Sequence, residues 1–172
     1  MDFELNETQK DIQKAAREFA EKEFADIAIT YDQNEEYPKE LWKKACELGF
    51  VGITIHEKYG GAGMGITEAC IVMEEFWRID PGCGNILLSS FGSGPLQKFG
   101  TEEQKKKYLP LIPSGQAIMC AAITEPDAGS DILMGSTTAV KDGKEYIING
   151  NKIFITNGTV ADFLIVFCVT DP

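Results

Sequence analysis

Thr124 and Ser130 place two hydroxyl groups in a short polar segment, residues 124–131, which follows an apolar run over residues 117–123. The run has the length of a buried strand, Pro126 fixes one backbone φ angle, and Gly129 permits another that other residues avoid. A loop at the end of a strand can present its hydroxyl and backbone N–H groups to a polar, planar or anionic ligand. Clusters of Pro, Asp, Gly and Ser are also typical of plain turns. The segment alone therefore leaves a ligand-binding loop and an ordinary turn both open.

The elements before residue 117 have a helical pattern. Asn6 followed by Gln9 resembles a capping box at the start of a first helix. Pro38, just before Lys39, predicts the start of a second helix. Thr67 begins a third helix, and Thr101 caps a last short one. Apolar residues recur at helical spacing within these segments, so we predict roughly five helices over residues 1–116.

The elements after residue 116 have the pattern of strands. Asp142-Gly143 lies between two strand-like segments, 137–141 and 145–148, and is a strong signal for a β-hairpin. Asn149-Gly150 marks a second tight turn. The predicted strands cover residues 117–123, 137–141, 145–148, 152–156 and 163–170. We therefore predict an α+β fold, with an all-α helical domain over residues 1–116 followed by an antiparallel, barrel-like β domain over 117–172.

Composition excludes several classes of function. The chain has 172 residues, 44% of them hydrophobic, and a net charge of −11, which argues against nucleic-acid binding. His56 is the only histidine and the five cysteines are scattered, so no metal site is predicted and a reducing, cytoplasmic compartment is favoured. The longest apolar run, residues 163–169, is too short to cross a bilayer. Residues 1–5 lack a signal pattern, so a soluble protein without a membrane partner is expected.

Residues 122–131, Ala-Ile-Thr-Glu-Pro-Asp-Ala-Gly-Ser-Asp, resemble the flavin-binding signature of the acyl-CoA dehydrogenases. Three further segments resemble motifs of the same family: residues 48–53 with 59–63, residues 99–110, and residues 149–158. The last of these, Asn-Gly-Asn-Lys-Ile-Phe-Ile-Thr-Asn-Gly, is similar to the family's second flavin contact. Because the four motifs occur in the family's order, the chain is identified as a member.

The resemblance implies a fold and a reaction. Family members have an N-terminal α domain, a middle β domain and a C-terminal four-helix domain, and residues 1–172 correspond to the first domain and a truncated second. The implied activity is α,β-dehydrogenation of an acyl-CoA thioester to the 2-enoyl-CoA, with hydride transfer to N5 of FAD. The carboxylate base that removes the α-proton belongs to the C-terminal domain of the family. No residue of this sequence matches it, so no catalytic residue is assigned and the chain alone is expected to be inactive.

The resemblance also implies binding roles. Phe154 would lie against the isoalloxazine ring, Thr156 would reach N5, and Thr124 would be the leading hydroxyl beside the pyrimidine edge and the ribityl chain. Ser130 would lie near the thioester and CoA, while Leu87 and Phe91 would border the acyl tail. The expected FAD contacts are Ala121, Ile123, Thr124, Gly129, Ser130, Phe154, Ile155 and Thr156. The residues that could shape substrate length are Cys83, Gly84 and Leu87.

The expected partners also follow from the resemblance. They are an acyl-CoA substrate, electron-transferring flavoprotein as electron acceptor, and further copies of the chain in a homotetramer or dimer. Two alternatives remain open at this point. One is an acyl-CoA oxidase of the same fold, and the other is a non-catalytic flavin or acyl-CoA binding subunit completed by a partner chain. No feature of the sequence indicates the length or branching of the acyl group.

Overall fold

The structure, a computed structural model, describes residues 4–170. Residues 1–3 and 171–172, the outer ends of the two predicted domains, lie outside the described residues. Within 4–170 the chain forms seven α-helices followed by four β-strands. The helices are α1 (Glu7–Glu23), α2 (Ala28–Asn34), α3 (Lys39–Glu47), α4 (Ile66–Ile79), α5 (Pro81–Gly84), α6 (Ser93–Phe99) and α7 (Glu102–Tyr108). The strands are β1 (Met119–Ala122), β2 (Thr138–Asp142), β3 (Glu145–Asn149) and β4 (Phe163–Val166).

The helical core is built around a cluster of four aromatic rings. Phe19 of α1 stacks on Phe76 of α4 at 5.2 Å between ring centroids, and Phe24 meets Phe76 edge-on at 5.1 Å. Phe50, in the loop after α3, completes the cluster at 5.3 Å from Phe76. Such ring pairs stabilise a core beyond the free energy of burying their area. The cluster therefore fixes α1, α4 and the α3 loop as one unit.

A buried carboxylate reinforces the contact between α1 and α4. Glu75 accepts two hydrogen bonds from the Arg17 guanidinium, at 2.7 and 2.9 Å, and a third from Arg78 at 3.2 Å. The bonds from Arg17, with those from Arg78, lower the pKa of Glu75 against the opposing effect of burial. A bidentate pair of this kind sets the relative register of the two helices.

Most predicted helix ends are observed close to where the sequence places them. Asn6 and Gln9 form a reciprocal capping box on α1, and Thr101 and Gln104 form one on α7. The helix predicted from Thr67 begins one residue earlier, at Ile66. The short helices α2, α5 and α6 raise the number within residues 4–170 above the roughly five predicted. None of the described helices combines the length and apolar character needed to cross a membrane.

The strands form two small sheets. β2 and β3 pair antiparallel around Gly143, whose φ of +59° suits the hairpin turn predicted there. β1 pairs with β4 in parallel, with Met119 opposite Phe163, which differs from the antiparallel pairing expected for this part of the chain. The α+β class is confirmed, with a helical part followed by a small β part.

The strand predicted over residues 152–156 is wrong. The segment is irregular. Phe154 within it has a φ of +55°, and Asn157 just after it has a φ of +63°, angles that the residues of a strand do not adopt. The apolar run Ile153 to Ile155 after the Asn149-Gly150 turn suggested a strand, but the Ile153 N–H bonds to the Thr124 carbonyl oxygen within an irregular segment.

The helical and β parts meet where β1 passes the segment before α6. Ser90 forms a parallel bridge with Met119, and a Cβ added at Gly92 would lie 3.0 Å from the Cys120 carbonyl oxygen. Only glycine permits this approach without displacing the strand. The segment that carries Leu87 and Phe91 therefore lies directly against the strand that leads into residues 124–131.

Candidate functional site

The two segments that resemble flavin motifs lie side by side. The Ile153 backbone N–H donates to the Thr124 carbonyl oxygen over 3.0 Å. The Lys152 ammonium donates to the Ile123 carbonyl oxygen over 2.8 Å. These two bonds join the end of β1 to the irregular segment 152–156, so residues about thirty positions apart form one local site.

Glu125 organises the loop between these contacts. Its carboxylate accepts hydrogen bonds from Lys152 at 2.7 Å, from the Ser136 N–H at 2.6 Å and hydroxyl at 2.9 Å, and from the Thr137 N–H at 3.0 Å. The side chains of Glu125 and Lys152 are 4% and 10% exposed. Lys152 and the neighbouring donors hold the pKa of Glu125 well below its usual range. The carboxylate is thus a fully bonded anion inside the loop.

The predicted flavin contacts fall into two groups. Ala121 in β1, Ile123, Thr124 and Ile155 are partly buried around the junction of the two segments. Thr156 and Phe154 lie exposed on the second segment, while Gly129 and Ser130 lie exposed farther along the first. Within residues 4–170, the hydroxyls of Thr124, Ser130 and Thr156 have no hydrogen-bond partner. They are therefore available to a ligand.

Phe154 is the most exposed large apolar side chain of the site. Its side chain is 88% exposed and its φ of +55° lies in the left-handed region, which a bulky residue seldom adopts. The bond from Ile153 to Thr124 fixes the backbone immediately before it. Local backbone strain combined with an exposed aromatic ring points to a binding surface.

Gly129 does not have the backbone role predicted for it. Its φ is outside the left-handed region, and a Cβ at this position would meet open space. The turn is instead closed by reciprocal bonds between Glu125 and Ala128, with Pro126 inside it. Pro126 and these two bonds shape the turn, and Gly129 lies beyond it.

The two residues predicted to border the acyl group line one cavity. Leu87, buried, and Phe91, 58% exposed, line a mainly apolar cavity of about 260 Å³ between α4 and the segment before α6. Cys83 lies elsewhere, in a cleft beside α2, and Gly84 packs on Trp77. In the described part of the chain, no hydrogen bond joins Ser130 to Leu87 or Phe91.

Models of two protein domains match the chain in the order of its elements. The N-terminal domain of acyl-CoA dehydrogenases matches residues 6–116, and their middle domain matches residues 120–172. The chain belongs to the acyl-CoA dehydrogenase family. Members of this family differ in their substrates and electron acceptors, so membership establishes the fold of the chain and the family to which it belongs.

Individual family members support the same assignment. The short-chain specific acyl-CoA dehydrogenase of Clostridium acetobutylicum is 42% identical over 173 residues, which cover 99% of this chain and 46% of that protein. The butyryl-CoA dehydrogenase structure from Megasphaera elsdenii is 38% identical, with a TM-score of 0.89, and is matched over 100% of this chain and 46% of its own. The structure of the FAD complex of PigA is 36% identical with a TM-score of 0.90, over 100% of this chain and 46% of its own. The chain thus spans about half the length of its relatives, which include FAD-binding flavoproteins.

The residues present fit a flavin. The ring of FAD has an apolar body and a polar edge, so it needs a side chain to lie against and a few placed donors. Phe154 offers an exposed ring, and Thr124 and Thr156 offer hydroxyls without partners on the two adjoining segments. Within residues 4–170 there is no group of side chains that could hold a metal ion.

Sequence reasoning missed the Glu125–Lys152 pair. Both residues belong to the quoted family motifs, but neither was given a role. The available signal was Lys152 itself, a charged residue between Asn151 and the apolar Ile153 and Phe154. A lysine in such a position needs an anionic partner if it is buried, and Glu125 was the acidic residue nearest the predicted strand end.

Proposed function

We propose that this chain is the N-terminal part of an FAD-dependent acyl-CoA dehydrogenase, which converts an acyl-CoA thioester to the 2-enoyl-CoA. The observation that carries the proposal is the contact between residues 123–125 and 152–156, which presents Phe154 and two hydroxyls without partners at one place. Family membership and the FAD complex of a relative support FAD as the cofactor. The relatives support an acyl-CoA substrate.

Each group of residues has a proposed task. FAD, when bound, supplies a hydride acceptor at N5. Phe154 lies against the apolar body of the ring and excludes water from that face, while Thr124 and Thr156 orient its polar edge, together with Ala121, Ile123 and Ile155. Gly129 and Ser130 border the cofactor and the CoA moiety, and Leu87 and Phe91 enclose the acyl chain. No described residue is assigned as the base.

The remaining parts of the proposal concern acceptor, assembly and location. We propose electron-transferring flavoprotein as the acceptor, a homotetramer or dimer as the assembly, and the cytoplasm as the location. The family resemblance supports the first two, and the scattered cysteines support a reducing compartment. Each can be measured on the full-length protein by acceptor assay, by light scattering and by fractionation of the cells that produce it.

The reaction is tested by anaerobic mixing of the full-length, FAD-loaded protein with a series of acyl-CoA thioesters of increasing length. Bleaching of the visible flavin absorbance together with 2-enoyl-CoA formation is expected. A preparation that binds no FAD, or one whose flavin no acyl-CoA reduces, contradicts the proposal. Rapid reoxidation of the reduced flavin by oxygen would show that the protein is an acyl-CoA oxidase and not a dehydrogenase.

A matched pair of variants links the reaction to the site. Thr124→Val removes a hydroxyl that lacks a partner in the described protein, so FAD affinity should fall while folding is retained. Thr159→Val, at an exposed position outside the predicted contacts, is the control and should leave FAD affinity unchanged. If both substitutions change FAD affinity equally, Thr124 is not a contact of the cofactor.

A further inference from the structure

We propose that Glu125 and Lys152 are positioning residues, whose ion pair couples the loop 125–137 to the segment 152–156 so that both sides of the cofactor site move as one unit. The inference rests on the proposed function for its meaning, because the two segments are the proposed flavin contacts. Its geometry does not depend on that function. It assigns a role to two residues that the resemblance left without one.

Glu125 holds the two ends of the loop 125–137 together. Glu125 starts the loop, and its carboxylate binds the backbone N–H groups of Ser136 and Thr137 at the other end. Between these ends, residues 129–134 are exposed, and the backbone bonds there form local turns, such as the one from the Met134 N–H to the Asp131 carbonyl oxygen. A single carboxylate therefore closes a loop of about ten residues that carries Ser130.

Lys152 joins this loop to the segment 152–156. Its ammonium donates both to Glu125 and to the Ile123 carbonyl, at 2.7 and 2.8 Å, and the side chain is 10% exposed. The next residue, Ile153, bonds to Thr124, and the one after it is Phe154 in the left-handed conformation. Lys152 thus fixes the backbone that presents Phe154 and, through Glu125, the loop that presents Ser130.

The consequence is a coupling between the two segments. When one member of a buried ion pair is removed, the other remains as an unpaired charge and the structure around it opens to reach water. Removing the Lys152 charge should therefore loosen residues 125–137, although Lys152 itself lies in the other segment. A purely local role for Lys152 would loosen residues 152–156 alone.

Hydrogen exchange of backbone amides in the cofactor-free, full-length protein tests the coupling without any flavin. Lys152→Met and Glu125→Gln should each speed exchange at Ser136, Thr137 and Ile153 by about tenfold or more, while amides of α1 and α4 keep their rates. Lys144→Met and Glu145→Gln, on the exposed hairpin, are the matched controls and should change none of them. The double variant K152M/E125Q should be no worse than the worse single variant, because the pair acts as a unit.

A flavin readout separates positioning from stability. At saturating FAD, K152M and E125Q should shift the visible flavin spectrum and raise KM for acyl-CoA more than they lower kcat, and Lys152→Arg, which keeps the charge, should restore much of the native spectrum. Exchange that rises only at 152–156 in K152M overturns the inference and leaves the proposed function standing. Coupled exchange without FAD binding would overturn the proposed function and leave the ion pair as a structural coupling. If K152M does not fold, E125Q carries the same test, because glutamine keeps the volume and removes the charge.

Discussion

Phe154 combines two properties that a side chain selected only for folding would not have. Its ring is 88% exposed, so it contributes little to the core, and its backbone is left-handed at a φ of +55°. The left-handed conformation costs a residue with a Cβ about 1–2 kcal/mol. Contacts in the rest of the segment offset this strain, and the proposed contact with flavin accounts for the left-handed conformation of Phe154.

Substituting Phe154 with glycine should therefore separate binding from folding. Glycine relieves the left-handed strain but adds about 0.5–1 kcal/mol of chain entropy, so the free energy of unfolding of the cofactor-free protein should change little. FAD affinity should fall by about tenfold or more, which corresponds to about 1.4 kcal/mol. Urea unfolding and FAD titration measure the two quantities.

Phe99 provides the control for this substitution. It is 78% exposed but ends helix α6, where glycine carries the entropic cost without relieving any strain. Phe99→Gly should destabilise the protein by about 0.5–1 kcal/mol and leave FAD affinity unchanged. A loss of stability in F154G as large as that in F99G would show that Phe154 is not strained in the native state.

Glu125 should make stability depend on pH in the acid range. Its pKa is lowered in the folded protein, above all by Lys152, so its contribution is fully present above the unfolded pKa of about 4.3. The contribution is lost as the pH falls below that value toward the folded pKa. The difference in unfolding midpoint between the native protein and E125Q should therefore be constant near neutral pH and shrink from about pH 5 to about pH 3.

The exposed Glu145 of β3 is the control for the pH experiment. E145Q should unfold in parallel with the native protein across the same pH range, because Glu145 forms no ion pair within the described residues. A gap between native protein and E125Q that grows on acidification would contradict the assignment of Glu125 as an anion stabilised by its partners.

At the scale of elements, the exit of the β2–β3 hairpin lies directly against the proposed site. A Cβ added at Gly150 would collide with Thr137, the residue whose N–H binds Glu125, and Gly150 has a φ of +156°. Gly143, in the turn at the other end of the hairpin, has a φ of +59° but open space around it. A side chain is therefore excluded at Gly150 by the contact with Thr137 and disfavoured at Gly143 by the backbone conformation alone.

Alanine substitutions should reveal that difference. Gly143→Ala should cost about 1 kcal/mol or more through its backbone conformation alone. Gly150→Ala adds the collision with Thr137, so its cost should exceed that of G143A by roughly 1–3 kcal/mol. G150A should also speed amide exchange at Thr137, whereas G143A should not. Equal destabilisation in thermal unfolding would argue that Thr137 can move away freely.

The elements that the sequence predicted correctly are those specified by neighbours in the chain. The Asn6 and Thr101 capping boxes and the hairpin around Gly143 depend on residues within three or four positions of each other. Segment 152–156 was predicted wrongly because a short apolar run after a tight turn is typical of a strand, while its bonds run to Thr124 and Ile123. Such distant partners leave no local pattern, so the Glu125–Lys152 pair and the parallel pairing of β1 with β4 could not be deduced from spacing.

The predicted site residues divide in a similar way, into those placed by the family motifs and those inferred from residue type alone. The segments that carry Thr124 and Phe154 adjoin through the bond from the Ile153 N–H to the Thr124 carbonyl oxygen, and the contacts of these residues with flavin stay a prediction. The backbone role of Gly129 was inferred from residue type alone, and the reciprocal bonds of Glu125 and Ala128 made it unnecessary. The roles of individual residues toward FAD and acyl-CoA stay predictions.

At the scale of the whole molecule, the proposed site is open on the surface. Phe154 is 88% exposed, and Phe91, which lines the proposed acyl cavity, is 58% exposed. A ligand in contact with these residues alone would keep much of its surface in water, whereas small-molecule sites enclose most of theirs. We therefore expect a polypeptide limited to residues 1–172 to bind FAD weakly or not at all.

Purification of this polypeptide with excess FAD, followed by desalting, tests that expectation. A colourless protein is expected, while the full-length protein prepared in the same way should retain flavin. Circular dichroism of the same samples shows whether the helices are formed, so loss of folding is distinguished from an incomplete site. A yellow, stoichiometric complex of residues 1–172 would show that these residues suffice.

The parallel pairing of β1 with β4 has a consequence for the order in which the protein assembles. Ile118 and Asp162, which bond to each other beside this pair, are 44 positions apart in sequence. The hairpin, the Glu125–Lys152 pair and Phe154 all belong to the intervening chain, so closing β1 on β4 encloses them in one large loop. Contacts between distant residues form slowly because the chain must first lose the entropy of the loop. Because the hairpin, the Glu125–Lys152 pair and Phe154 lie within this one loop, they should become ordered together when β1 closes on β4, and flavin should be retained only after this pair has formed.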